Sequence, residues 1–416
     1  MRRPSKSPIR KLNADSQRLA SYAEGAMFAS SRIEERVWES QLDTVLQKLF
    51  KAGHQDTVDA ALETTFRAPA GIYDALMEAV EANSESCEIV QDGVRYQALL
   101  VAAPILAWTR YAIASGPINT DLLTTLSAHF NAHLLAPDVR MAMAPTLYAI
   151  DQLPQSHCAS FMLTQQMAQA ALKGATPKAL INPPETAPFL ADTRFLLTVV
   201  LAPAGAPLFR WQASLNPADR ELALAQWQAQ ATPNIARLLP GCGIELLLPE
   251  AYYIACRDAD KRIRPASVRA AVHYLNQTLN VEANALQAII GGFGEESSAG
   301  RVDEYRISFA LIANSTVVYG VVWPLFGEEE ESLSDEGSGV NAARRGDQDA
   351  PAMLTPIEEI LALLRESGVT QIKRHEGCFV MEACEDCGAP FYLDLDAELV
   401  HAEMPEDVAP GPTHFH

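Results

Sequence analysis

Tyr96-Gln-Ala-Leu-Leu-Val-Ala-Ala-Pro-Ile-Leu-Ala-Trp108 and Arg194-Phe-Leu-Leu-Thr-Val-Val-Leu-Ala-Pro203 decide the fold class. Both are apolar and strand-like. The longest run, Ala98–Trp108, is interrupted by Pro104 and reads as buried strand. A membrane helix would need about 18 or more uninterrupted apolar residues, so no membrane partner is expected. A third segment, Tyr305–Phe326, has the same character. Taken as Tyr96–Ala114, Arg194–Ala213 and Tyr305–Phe326, each is long enough for two strands with a break near its centre.

What surrounds these segments repeats. Helix patterns follow the first two, over Asp121–Leu135 and Asp219–Leu239. Strand pairs come next, Val139–Asp151 and Ile244–Cys256, then second helix patterns, Ser156–Leu172 and Pro265–Leu279. Pro145-Thr-Leu-Tyr148 and Pro249-Glu-Ala-Tyr252 occupy equivalent places. The spacing points to a degenerate repeat of roughly a hundred residues, a length that suits one small domain per copy. Read strand by strand, each copy is βαββαβ, the ferredoxin-like order. The fold class is therefore α+β, with repeats over 89–192 and 193–303 and a truncated third copy over 304–400. In that third copy a capped helix, Thr355–Glu366, precedes strands at Gln371–Arg374 and Cys378–Cys384. A short strand, Phe391–Leu395, stands in for the second helix and is expected to pair with the sheet.

Upstream, residues 15–88 read as a helical domain. Ser31-Arg-Ile-Glu34 has the spacing of a capping box. Ile33, Val37, Leu42, Val45, Leu46 and Leu49 form a stripe behind it. Residues 1–14 are basic and proline-punctuated, and read as a disordered arm. Residues 327–352, with Glu328–Glu331, read as a solvated acidic insertion, and 401–416 as a tail.

The chain has 416 residues and a formal net charge of -20. That balance disfavours a general grip on phosphate backbones, leaving the N-terminal arm as the one route to nucleic acid or the ribosome. Seven cysteines without a secretion signal fit a reducing cytoplasm.

Cys384-Glu-Asp-Cys387-Gly388 is the sharpest motif. Two thiolates at this spacing can wrap one zinc ion, with His375, Cys378, His401, His414 or His416 as further ligands. Two ordinary reduced cysteines are the competing reading. Arg257, Lys261, Arg262 and Arg264 cluster before Pro265, where a helix start with free N–H groups would attract an anion. A solvated loop with internal ion pairs is the plainer account. Gly291-Gly-Phe-Gly294 lacks phosphate-loop spacing and reads as a turn. His129 and His133 share a helix face without an evident third ligand. His157-Cys158 opens a helix and reads as a capping or buried pair.

Ser31-Arg-Ile-Glu-Glu-Arg-Val-Trp-Glu39, Cys384-Glu-Asp-Cys-Gly-Ala-Pro-Phe-Tyr392, Val400-His-Ala-Glu-Met-Pro-Glu-Asp407 and Pro412-Thr-His-Phe-His416 resemble a betaproteobacterial family of proteins of unknown function. The resemblance runs over nearly the whole chain. It implies that the terminal Thr-His-Phe-His is native, and it carries over no catalytic residues. The expected function is non-enzymatic binding or regulation, with a small molecule, a protein or a second copy of the chain as partner. The alternatives are a metal-dependent enzyme built on the C-terminal Cys/His cluster and a nucleic-acid or ribosome-associated factor acting through the basic arm.

Overall fold

The computed structural model describes residues 13–405 other than 67, 69–70, 180–183, 185–188, 296–300, 314, 327–328 and 330–353. Most of the basic arm, nearly all of the acidic insertion and the end of the tail lie outside the described residues.

Four helices lead the chain: α1 Ala14–Met27, α2 Arg32–Ala52, α3 Gln55–Phe66 and α4 Ile72–Glu85. Ser31 caps α2 through its hydroxyl, which accepts from the Glu34 N–H. The Glu34 carboxylate accepts from Ser30 instead of completing the box on Ser31. Leu42, Leu46 and Leu49 of the stripe are buried, while Ile33 and Val37 in the first turns are exposed.

The first sheet contains β1 Ser86–Gln91, β2 Val94–Trp108, β3 Gly116–Pro117, β4 Arg140–Ala149, β5 Ala191–Pro203, β6 Gly243–Leu246 and β7 Glu250–Ala251. Strand order is β1-β2-β5-β4-β3, and β6 and β7 share the outer edge of β2 with β1. The two runs that decide the fold are each one unbroken strand, not two. They pair antiparallel from Tyr96 opposite Pro203 to Trp108 opposite Ala191. Along β2, Leu100, Ala102 and Leu106 enter one core, and Val101, Ala103 and Ile105 enter another. A strand's period of two explains the split. With both faces covered, no polar alternation survives to mark the strand. Pro104 is tolerated because its carbonyl accepts from Leu247 N–H in the gap between β6 and β7, where no ladder donor is required of it.

Helices α1–α4 pack on the first face together with α6 (His157–Lys173) and the start of α9 (Tyr252–Leu279). The N-terminal helices thus share the sheet's core. The other face carries α5 (Thr120–Leu134) and α8 (Ala218–Ile235), with Phe130 edge-on to Trp227. A short α7 (Arg210–Ser214) precedes α8. Strand β4 adds to β5, while β6 and β7 add to β2. Strands from 94–149 and from 191–251 therefore interleave in one sheet. Their matched prolines both mark interruptions: Pro145 in the bulge of β4, Pro249 in the gap between β6 and β7. The match ends at Tyr252, which starts α9, whereas Tyr148 is still strand.

The second sheet is β10-β9-β8-β11, from β8 Leu286–Gly294, β9 Glu304–Leu311, β10 Val317–Pro324 and β11 Gln371–Val380. Here the expected break holds: Tyr305–Phe326 yields β9 and β10. Gln371–Cys384 yields one strand with an irregularity between Arg374 and Cys378, parallel to β8. Helix α10 (Pro356–Glu366) makes the crossover, and Thr355 and Glu358 form its complete capping box. The back half of α9 and α10 cover one face. A C-terminal hairpin, β12 Tyr392–Leu393 with β13 Leu399–Val400, covers the other. Strand β12 pairs with β13, not with the sheet, and lies across its face. Gly291 belongs to β8, not a turn. A Cβ there would fall 2.2 Å from Leu393, and one on Gly320 would fall 2.2 Å from the Tyr392 ring.

Candidate functional site

Beyond β11 the chain makes a knuckle. Cys384 N–H donates to the Ala389 carbonyl at 2.8 Å, and Gly388 N–H to the Cys384 carbonyl at 2.9 Å. Gly388 supplies the left-handed turn with φ 75°. Backbone N–H groups of Cys387 and Asp386 point at the Cys384 sulfur and hold its thiol below the ordinary range, because such donors favour the thiolate. Strand β13 delivers His401 to the same place. Its Nε2 lies 3.2 Å from Cys387 Sγ, and its Nδ1 lies 3.3 Å from the Glu403 carboxylate. The ligand atoms of Cys384, Cys387 and His401 all lie within 4.8 Å of one another. Ligands around one zinc ion, at about 2.0–2.3 Å from it, sit slightly closer than that. Nδ1 makes no hydrogen bond among the described residues, so a turn of the ring would be needed for the Glu403 carboxylate to support it from behind.

The other predicted ligands are elsewhere. His375 Nε2 lies 2.9 Å from the Asp394 carbonyl. Cys378 donates to the Arg301 carbonyl at 3.2 Å, and burial pushes its thiol up. His414 and His416 lie outside the described residues. His157 and Cys158 are buried: burial pushes the imidazole down to about 4 and the thiol up, the opposite of an activated pair. His129 and His133 stack on α5 with centroids 6.1 Å apart, and no third ligand joins them among the described residues.

The four basic residues before Pro265 do not stand at a helix start. Arg257, Lys261, Arg262 and Arg264 lie inside α9, so no free N–H groups face them. The helix continues through Pro265, which cannot donate to the Lys261 carbonyl. Arg264 Nε donates to that carbonyl instead, at 3.0 Å. Its guanidinium is buried, lies 4.9 Å from the Trp323 ring centroid, and holds Glu329 through two bonds of 2.9 and 3.0 Å. Arg257 pairs with Glu81 on α4 at 2.5 Å. Lys261 and Arg262 do face open space, a groove of about 860 Å3 along α9. Arg110, Arg269 and His273 also line it, and the two on the helix were legible only once the helix was read through Pro265. Arg262, Arg269 and His273 then fall at spacings of seven and four, one face of a helix.

No curated protein and no solved structure matches the chain. A family model described as a protein of unknown function (DUF2863) matches residues 4–415, nearly the whole chain including the knuckle and His401. The chain belongs to the DUF2863 family.

Proposed function

We propose that this is a non-enzymatic, cytoplasmic binding protein whose C-terminal hairpin is closed by a zinc ion on Cys384, Cys387 and His401. The convergence of these three ligand atoms on one point carries the reading. Two thiolates and an imidazole suit zinc and disfavour hard cations such as magnesium. The ligands flank β12 in sequence, so the metal would fasten the segment that covers the Ile289–Phe293 face. Metal binding would then contribute directly to folding.

The test is metal quantification on the full-length chain grown with zinc. One zinc per chain is expected, with loss in Cys387→Ser and His401→Ala and a lower melting temperature on chelation. Absence of stoichiometric metal, with melting unchanged by chelator or by either substitution, would overturn it.

One observation favours the metal-dependent enzyme as a second reading. Among the described residues three protein ligands converge, and three is also the number that holds a catalytic zinc. Cobalt substitution separates the two, since azide alters the cobalt spectrum only where a position is exchangeable. The nucleic-acid reading rests on the basic arm and is tested by co-purification before and after its deletion. The interleaved units β2-α5-β4-α6 and β5-α8-β6/β7-α9 support descent from one duplicated ferredoxin-like unit.

A further inference from the structure

Helix α9 runs between the two sheets and forms one side of the groove. Lys261, Arg262, Arg269 and His273 line it from the helix, and Trp108 and Arg110 line it from the end of β2. Arg110 is propped against Tyr111, with Nε donating to the phenol oxygen at 3.1 Å. Among the described residues, neither Arg110 nor Lys261 makes an ion pair. Arg262 pairs with Asp258 at 3.1 Å and Arg269 with Glu366 at 3.2 Å, with all four side chains well exposed. Exposed pairs contribute little to stability, so a ligand can take over these guanidinium groups at little cost. Arg264 also reaches the wall, but Glu329 already occupies it.

Two carboxylates, Glu245 and Glu359, line the groove against the four cations Arg110, Lys261, Arg262 and Arg269. Asp258 and Glu366, paired with Arg262 and Arg269, bring the neighbouring carboxylates to four, so the cations that stand without an ion pair among the described residues are Arg110 and Lys261. A monoanion would compensate one of these two. A ligand with two adjacent anionic groups matches both, and guanidinium forks suit phosphate oxygens. The cavity volume is that of a small-molecule site. At one end stands Trp108, 36% exposed, its indole seated on Gly243, where a Cβ would fall 2.2 Å from the indole nitrogen. The glycine thereby fixes an aromatic ring beside the cations.

We propose that this groove binds a small molecule carrying two or more adjacent phosphates. The assignment goes beyond the zinc reading and is independent of it, because Cys384, Cys387 and His401 do not line the groove.

Calorimetric titration of the full-length chain with inorganic pyrophosphate and with ATP, at low ionic strength, tests it. Both probes should bind, more weakly as salt is raised, since salt screens exposed charges. Arg262→Glu with Arg269→Glu should weaken binding at least tenfold. These side chains are exposed, so melting temperature should stay close to that of the parent. Lys178→Glu, a charge reversal on an exposed residue that does not line the groove, should leave binding unchanged. ATP binding at least tenfold tighter than pyrophosphate would assign the Trp108 end to an aromatic base. Equal binding would assign recognition to the phosphates alone. The proposal is overturned if neither probe binds at millimolar concentration, or if binding survives the double reversal within twofold.

Discussion

Glu85 ends α4 in the core, and its carboxylate accepts from the Tyr253 N–H at 3.0 Å where α9 begins. Burial raises its pKa to about 7, against that donation; the nearby Glu81 adds to the rise and Arg257 opposes it. The folded state therefore keeps a proton that the unfolded chain, with a carboxyl near 4.5, has released. The resulting stability is complete below about pH 4.5 and is lost as pH climbs through 7. Glu85→Gln keeps an acceptor for Tyr253 and removes the titration. Relative to this variant, the parent should lose up to about 3 kcal/mol between pH 4.5 and 8, read by urea denaturation at each pH. Buried His157, with its pKa pushed down to about 4, works in the opposite sense: its contribution is lost as pH falls. The comparison of parent with variant is therefore the measurement that isolates Glu85. A difference independent of pH would mean that the carboxylate is charged in the fold at neutral pH.

At the scale of elements, the hairpin β12–β13 shows how two glycines replace a helix as cover. Tyr392 and Leu393 are buried on the sheet because Gly320 and Gly291 leave room for them. Ser308 donates to the Leu393 carbonyl, and Arg306 to those of Glu382 and Phe391, which ties the segment down. Gly320→Ala should cost about 1–3 kcal/mol by overpacking against Tyr392. In a Tyr392→Ala background the same change should cost almost nothing. Additive costs would show that the ring does not rest on Gly320. The tail's return over the sheet was legible in the sequence because a half-covered sheet needs a second layer. Its pairing was not, since nothing local to Tyr392 distinguishes a sheet edge from a sheet face. The same limit hid the interleaving: β6 carries no mark of which edge it will join. The strands β2 and β5 were legible as apolar runs. The break expected in each is absent, and in β2 this is because Pro104 lies opposite a gap supplied by residues far along the chain. In the candidate metal centre, Cys384 and Cys387 were legible from spacing, but His401 could be chosen over His375 and Cys378 only after the hairpin placed it.

At the scale of the whole molecule, α9 is, among the described residues, the one helix that enters both halves. Tyr252, Tyr253 and Ala259 belong to the core under the first sheet, and Val268, Val272 and Leu275 to the core under the second. Pro265 stands between them, where a proline costs a helix about 3 kcal/mol or more. Arg264 offsets that cost by giving the Lys261 carbonyl a donor, and its partners are Pro324 at the end of β10 and Glu329 just beyond it. A single side chain thus joins the helix to the second sheet at the point where the backbone is weakest. Arg264→Met should destabilise the protein by about 3–5 kcal/mol, because it leaves the half-buried Glu329 carboxylate without its guanidinium. Pro265→Ala restores the missing N–H, so in that background the loss on Arg264→Met should shrink by about 1 kcal/mol, one hydrogen bond's worth. The two halves should also unfold together in the parent and separately in Arg264→Met, giving one calorimetric transition and then two. Pro265→Ala should draw the two transitions back toward one. A full-sized loss that Pro265→Ala does not reduce, with a single transition throughout, would show that Arg264 acts through Glu329 alone and that the helix needs no repair at the proline.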